Sequence, residues 1–211
     1  MSYFNIVAQT TENTVTTEYE PVKAHSDSYQ SEAALEKEFI CLLSEQGYEY
    51  LPIYGEPEMI ANLRQKLEAY IFTDAEWERF FSEYIAGAND SIEDKTRRIQ
   101  EDFVQVLRRD TGESKNITLI DKKNIHNNRL QVINQYAVGK ADGAQYDNRY
   151  DVTVLVNGLP LVHIELKRRG VAIREAFNQI DRYQRDSFWA GSGLYEYVQI
   201  FVISNGTNTK Y

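Results

Sequence analysis

Between Asp151 and Lys167, apolar and polar side chains alternate in two runs separated by a break. Val152, Val154 and Val156 recur at every second position, as do Val162, Ile164 and Leu166. That is the period of a half-buried β-strand. Asn157-Gly158 lies between the runs and is a hairpin turn signal, since Asn and Gly tolerate the positive φ of a tight reversal. The side chains left for the opposite face include Asp151, Glu165 and Lys167. A plain two-residue loop would pair Val156 with Leu159, so that paired numbers sum to 315 and each apolar stripe meets a polar one. A sum of 316 sets Val152 against Ile164 and Asp151 against Glu165. The pattern therefore predicts a three-residue loop or a bulge near Asn157–Leu159.

Upstream the period lengthens. Ser31 reads as an N-cap before an apolar face at Leu35, Phe39, Leu42 and Leu43, with Gly47 as the stop. Glu56 to Phe72 reads as a second helix. Thr73-x-x-Glu76 is a capping box opening a third, with a stripe of Trp77, Phe80, Phe81, Tyr84 and Ile85 before Gly87. Asp90-x-x-Glu93 resembles another start, for a helix to about Arg109 ended near Gly112. Further strands are expected at Ile117–Ile120, Leu130–Val138, Tyr150–Val156, Leu161–Lys167 and Tyr197–Ser204, with a helix from Ile173 to about Asp186. The strand–helix–strand order at the end predicts a right-handed crossover between parallel neighbours. Residues 1–30 form a polar arm, irregular or strand-like. Residues 31–211 are then one domain, with a helical part over about 31–112 and a sheet core over about 115–205.

Composition narrows the class. An apolar fraction of 42% over 211 residues supports one packed domain. No apolar run nears the roughly 18 to 20 residues of a membrane span, and Met1–Gln9 lacks the form of a secretory signal. Cys41 is the single cysteine, which excludes an internal disulfide and a cysteine-rich zinc site. Cytoplasmic residence is the expectation. The net charge of −9 divides unevenly: residues 1–94 hold 19 acids and 5 bases, residues 95–211 hold 13 acids and 18 bases. Basic character thus gathers in the half containing Asp151, Glu165 and Lys167, where it would attract a polyanion. The acidic half suits docking onto a basic partner.

Two neighbouring carboxylates bind a hard cation such as Mg²⁺, which lowers the pKa of bound water and accepts phosphate oxygens. Lys167 follows Glu165 by two and shares its face, where it can orient that water and offset phosphate charge. Such a set is what phosphodiester cleavage requires. His163 shares the face too, although a lone strand histidine is more often a structural one. Arg168, Arg169, Arg174, Arg182 and Arg185 flank the motif and could contact phosphates or pair with Glu175, Asp181 and Asp186.

Asp151, Glu165-Leu166-Lys167 and Gln179-Ile-Asp-Arg-Tyr183 together resemble the PD-(D/E)xK nucleases with a trailing QxxxY motif. With Ser31-Glu32-Ala33, Gly47-Tyr48 and Tyr150-Asp151-Val152, the chain is similar to the N-terminal nuclease domain of type I restriction enzyme R (motor) subunits, from about Ser31 to Asn205. The resemblance implies an α/β fold: a restriction-endonuclease-like core with a central mixed β-sheet flanked by helices, plus an N-terminal helical part. It implies Mg²⁺-dependent cleavage of double-stranded DNA, with Asp151 and Glu165 as metal ligands and Lys167 as the catalytic lysine. Glu32 matches a helix-borne acid near the metal, or is simply a first-turn charge. Gln179 and Tyr183, with Arg182 between them, would handle DNA or merely pack. Tyr150 stands where the family often has proline. No Gly-x-x-x-x-Gly-Lys-[Ser/Thr] occurs, so ATP would serve only helicase-like motor domains of the same parent chain. Modification and specificity subunits would read the target, and cleavage would follow stalled translocation. A stand-alone repair or junction nuclease, and a non-catalytic docking module with a vestigial site, are the alternatives.

Overall fold

In the computed structural model, which describes residues 3–9, 15–20, 30–67 and 72–211, β1 (Tyr3–Gln9) and β2 (Val15–Glu20) pair antiparallel as a separate sheet. Helix α1 (Glu32–Glu45) starts at Ser31, whose Oγ accepts the Ala34 N–H at 3.2 Å. It ends before Gly47, at φ +93°. A short β3 (Glu49–Tyr50) leads to α2 (Glu56–Lys66), which carries acids in its first turn and Arg64 and Lys66 in its last. This helix is shorter than its pattern suggested, and residues 68–71 of that expectation lie outside the described residues. The Thr73–Glu76 capping box forms as expected and opens α3 (Asp74–Phe80), which runs into one π-helical turn at Phe81–Ile85.

The expected helix from Asp90 to Arg109 is corrected. Ser91, not Asp90, is the cap, and α4 (Ile92–Gln100) is followed by a hairpin of β4 (Val104–Arg108) and β5 (Ser114–Thr118). Asp90 instead accepts the Gly87 N–H and pairs with Arg98. Residues 104–118 alternate with period two around Gly112 at φ +86°, and that local pattern wins. Glu76 ties α3 to this hairpin, accepting from Arg109 at 3.1 Å and from the Asp110 N–H at 3.1 Å.

The central sheet comprises β6 (Leu130–Val138), β7 (Asn148–Val156), β8 (Leu159–Leu166), β9 (Ile200–Ser204) and β10 (Thr209–Lys210) in the order β10-β9-β8-β7-β6-β3. It is mixed: β3–β6 and β8–β9 are parallel, the rest antiparallel. Helix α5 (Ile173–Asp186) connects β8 to β9, and a 3₁₀ turn at Leu194–Tyr197 replaces the start of the expected last strand. Val132, Val152, Val154, Ile164 and Leu166 form a small core under α1, with Leu35, Phe39 and Leu43 packed on it. Leu42, expected on that face, is 49% exposed. The other sheet face builds the larger core, with Tyr136, Tyr150, Leu155 and Leu159 meeting Met59, Leu63, Phe80 and Tyr183. Among the described residues, no helix is long and apolar enough to cross a membrane.

The hairpin register resolves the arithmetic of the sequence. Asn157 and Gly158 do form a two-residue turn, at φ +52° and +88°, and Val156 faces Leu159. The register then shifts between Val154 and Leu155, so that Val154 faces Val162 and Val152 faces Ile164. The bulge thus exists but sits at Leu161, past the turn rather than within Asn157–Leu159. The turn packs against α2: a Cβ on Gly158 would lie 2.8 Å from the Leu63 Cα. Gly158→Ala combines this clash with a left-handed φ and is expected to destabilise by about 2 kcal/mol or more. A lowered midpoint in urea unfolding checks this; an unchanged one would show the turn free of α2.

Candidate active site

The alternation of β7 breaks at Asp151. Tyr150 packs in the larger core and Val152 in the smaller one, although an undisturbed strand would put both on one face. The partner strand is irregular at the same level, where Gln135 takes φ +54° between the pairs Asn134–Val152 and Tyr136–Tyr150. Asp151 is thereby turned toward β8, and its Oδ2 accepts the Leu166 N–H at 2.9 Å. Tyr150 anchors the strand just before Asp151. It is fully buried among Tyr136, Tyr183, Phe188 and Tyr195, and its hydroxyl lies 2.7 Å from Ser187 Oγ.

Glu165 lies beside Asp151, with the two carboxyl groups within hydrogen-bonding reach. Glu165 is fully buried. Lys167 Nζ lies 3.4 Å from Glu165 Oε1 and donates to the Leu166 carbonyl at 3.1 Å. The structure thus brings the three residues together. Burial, and then the charge of Glu165, push the Asp151 carboxyl up to about 7. Burial likewise pushes Glu165 up to about 7, against the pull of Lys167. Two carboxylates that resist ionising side by side are what a cation relieves.

Three buried polar atoms at this site make no well-formed hydrogen bond: His163 Nδ1, His163 Nε2 and Glu165 Oε2. A buried carboxylate with an orphaned oxygen, beside a second buried carboxylate, fits a hard divalent ion, whose remaining ligands are water and phosphate oxygens. Among the described residues no group of three or more His, Cys, Asp or Glu forms a ready cage, so the pair would share the ion with such outside oxygens. Burial lowers His163 to about 4, leaving it a neutral imidazole near pH 7.

The remaining candidates fall around this centre. Glu32 accepts the Arg168 N–H at 3.3 Å and stands 4.0 Å from Lys167 Nζ, on the lysine's side of the site. Four residues on, Glu36 was missed by the sequence reading. It is 8% exposed, takes hydrogen bonds from Asn134 and Gln135 at the irregular strand, and is coupled to Asp151. Burial raises its pKa above the usual carboxylate range. Its only sequence signal was a charge next to Leu35, three positions before Phe39, on the side of α1 that carries them. Gln179 Nε2 donates to the Tyr183 hydroxyl at 2.5 Å, which in turn donates to the Arg149 carbonyl at 2.7 Å. These two residues therefore brace the strand leading into Asp151. Arg182 is exposed, over the Tyr183 ring at 5.3 Å, and its charge reaches Glu165. Arg185 pairs with Asp181 at 3.3 Å on the outer face of α5, while Arg168 and Arg174 are exposed.

Comparison with known proteins bears on what this constellation is. The family model described as type I restriction enzyme R protein N terminus matches residues 29–211. The chain belongs to this family. It is 46% identical over 209 residues to the type I restriction enzyme EcoprrI endonuclease subunit of Escherichia coli, covering 97% of this chain and 66% of that protein. It is 40% identical over 192 residues to the type I restriction enzyme SauMSSORF170P endonuclease subunit of Staphylococcus aureus, covering 87% of this chain but 19% of that one. A shorter match, 32% over 114 residues, links it to the type I restriction enzyme HindI endonuclease subunit of Haemophilus influenzae, covering 52% of this chain. The chain thus spans just under two thirds of the E. coli relative and about a fifth of the staphylococcal one. The mixed six-stranded sheet flanked by helices is the α/β, restriction-endonuclease-like architecture expected from the sequence.

Proposed function

We propose that this chain is the DNA-cutting module of a type I restriction system, hydrolysing phosphodiester bonds with Mg²⁺ held by Asp151 and Glu165. The observation that carries the reading is the pair of buried carboxylates, both raised to about 7, beside Lys167 on adjoining strands. Relatives named as endonuclease subunits support it.

A bound cation would supply an acidified water and neutralise charge on the phosphate. Asp151, fixed by the Leu166 N–H, and Glu165 set where that ion rests. Lys167 gives up its contact with the Leu166 carbonyl and donates from Nζ to the attacking water or a phosphate oxygen. The neighbouring Arg168, Arg174 and Arg182 hold backbone phosphates without reading bases. The substrate is double-stranded DNA, cut without sequence preference when a translocating complex stalls. ATP is used by motor domains elsewhere in the parent protein, and modification and specificity subunits supply the target. The setting is the cytoplasm.

The test is the parent assembly carrying Asp151→Ala or Lys167→Ala. Each is expected to lose cutting of circular DNA while ATP hydrolysis and translocation persist. Cutting at the wild-type rate by both would sink the assignment.

A further inference from the structure

His163 is fully buried two residues before Glu165 on β8. Its Nε2 stands 3.3 Å from Glu165 Oε2. These are two of the three polar atoms at the site that lack a well-formed hydrogen bond, and each is the other's near polar neighbour. The ring is not free to turn away. Tyr150, Tyr183, Phe188, Tyr195 and Phe201 surround it, each edge-on at 70–79° with centroids 5.4–6.4 Å distant. Burying an imidazole in an aromatic box without a partner leaves its desolvation uncompensated, so a phenylalanine would be the cheaper occupant. What a phenylalanine lacks is an N–H.

The geometry points to His163 as a positioning residue for Glu165: its Nε2–H holds Oε2, while Lys167 takes Oε1 at 3.4 Å. With that bond made, each carboxylate oxygen has one donor and the carboxyl plane is set. A metal-binding group oriented from behind holds its ion more tightly, and loss of such a partner typically costs 10- to 100-fold in affinity or activity. This rests on the cation reading proposed above for Asp151 and Glu165.

Titration of the chain with Mn²⁺ followed by electron paramagnetic resonance tests it without any reaction. Against wild type, His163→Phe is expected to weaken binding about tenfold or more at a similar melting temperature, and His163→Gln, whose amide nitrogen reaches the same place, to restore it to within about threefold. Equal binding by H163F and wild type overturns the positioning role, as does H163Q binding no better than H163F. Should H163F not fold, the wild-type protein still decides. Imidazole ¹⁵N shifts are expected to place the ring proton on Nε2, and a proton on Nδ1 overturns the proposal. An Asp151→Asn control that binds Mn²⁺ like wild type would bring down the cation reading itself, and the positioning role with it.

Discussion

Glu165→Gln is expected to make the chain more stable while abolishing its chemistry. Glu165 is fully buried beside Asp151, and burial raises its pKa to about 7. At pH 8 without divalent ions, the native state therefore carries a carboxylate that would ionise far more readily in the unfolded chain. A glutamine has the same shape and no charge, and its amide can donate to Asp151. The expected gain at pH 8 is about 2 kcal/mol, read as a higher urea midpoint. In the parent assembly the same change removes one of the two carboxylates proposed to hold the cation. Cutting should fall by a factor of about a thousand or more, since metal contributions of several kcal/mol translate at 1.36 kcal/mol per tenfold. A variant less stable than wild type at pH 8 would contradict the electrostatic conflict at this site. A variant that still cuts would contradict its use.

The wild-type chain without divalent ions should lose stability as pH rises from about 4 to about 7. Asp151 and Glu165 both have folded pKa values, about 7, above those of unfolded carboxyl groups. Between the two ranges these two carboxyl groups bind more protons in the native state than in the unfolded one, so each step up in pH favours unfolding, offset in part up to about 6.5 by His163, which burial holds near 4. The loss amounts to a few kcal/mol and levels off above pH 7. Glu76 behaves oppositely in a separate window. Its carboxyl is held down to about 2, first by Arg109, so its contribution is present above about 4.5 and is lost as pH falls toward 2. Mg²⁺ at pH 8 is expected to recover the stability lost at the carboxylate pair, and binding near pH 6 should release protons. Urea midpoints at pH 5 and 8, with and without Mg²⁺, check the first part. Calorimetry in buffers of different ionisation enthalpy checks the second. A pH profile that is flat from 4 to 7, or one left unchanged by Asp151→Asn with Glu165→Gln, would refute the assignment.

Where a segment carries one strong period and its own punctuation, the local pattern was enough. β6 spans Leu130–Val138 and α5 spans Ile173–Asp186, the bounds read from the sequence. Ser31 and Thr73 cap their helices because a side-chain oxygen can satisfy an orphan N–H wherever it occurs. Residues 90–112 misled because two signals overlapped. The Asp90-x-x-Glu93 start obscured the Ser91–Asp94 box one residue later, and helix-compatible charges obscured the alternation of β4 and β5. Leu42 misled because helical spacing defines a stripe and not its width.

The sequence by itself determined the hairpin that carries Asp151, Glu165 and Lys167 and the apolar stripe of Val152, Val154, Ile164 and Leu166 on one of its faces, because side-chain direction in a regular strand follows from parity. The demand for a bulge followed too, since only an even sum lets the apolar stripe and the carboxylate pair agree. Tertiary structure decided where that bulge lies, at Leu161 rather than in the turn, because Asn157-Gly158 closes tightly against Leu63 and the extra residue must go further along. It also decided the break in alternation at Asp151, the approach of Glu36 across the sheet from α1, and the aromatic box that fixes His163 against Glu165. These depend on contacts between residues up to about a hundred positions apart, set by packing of whole elements, and no local period encodes them.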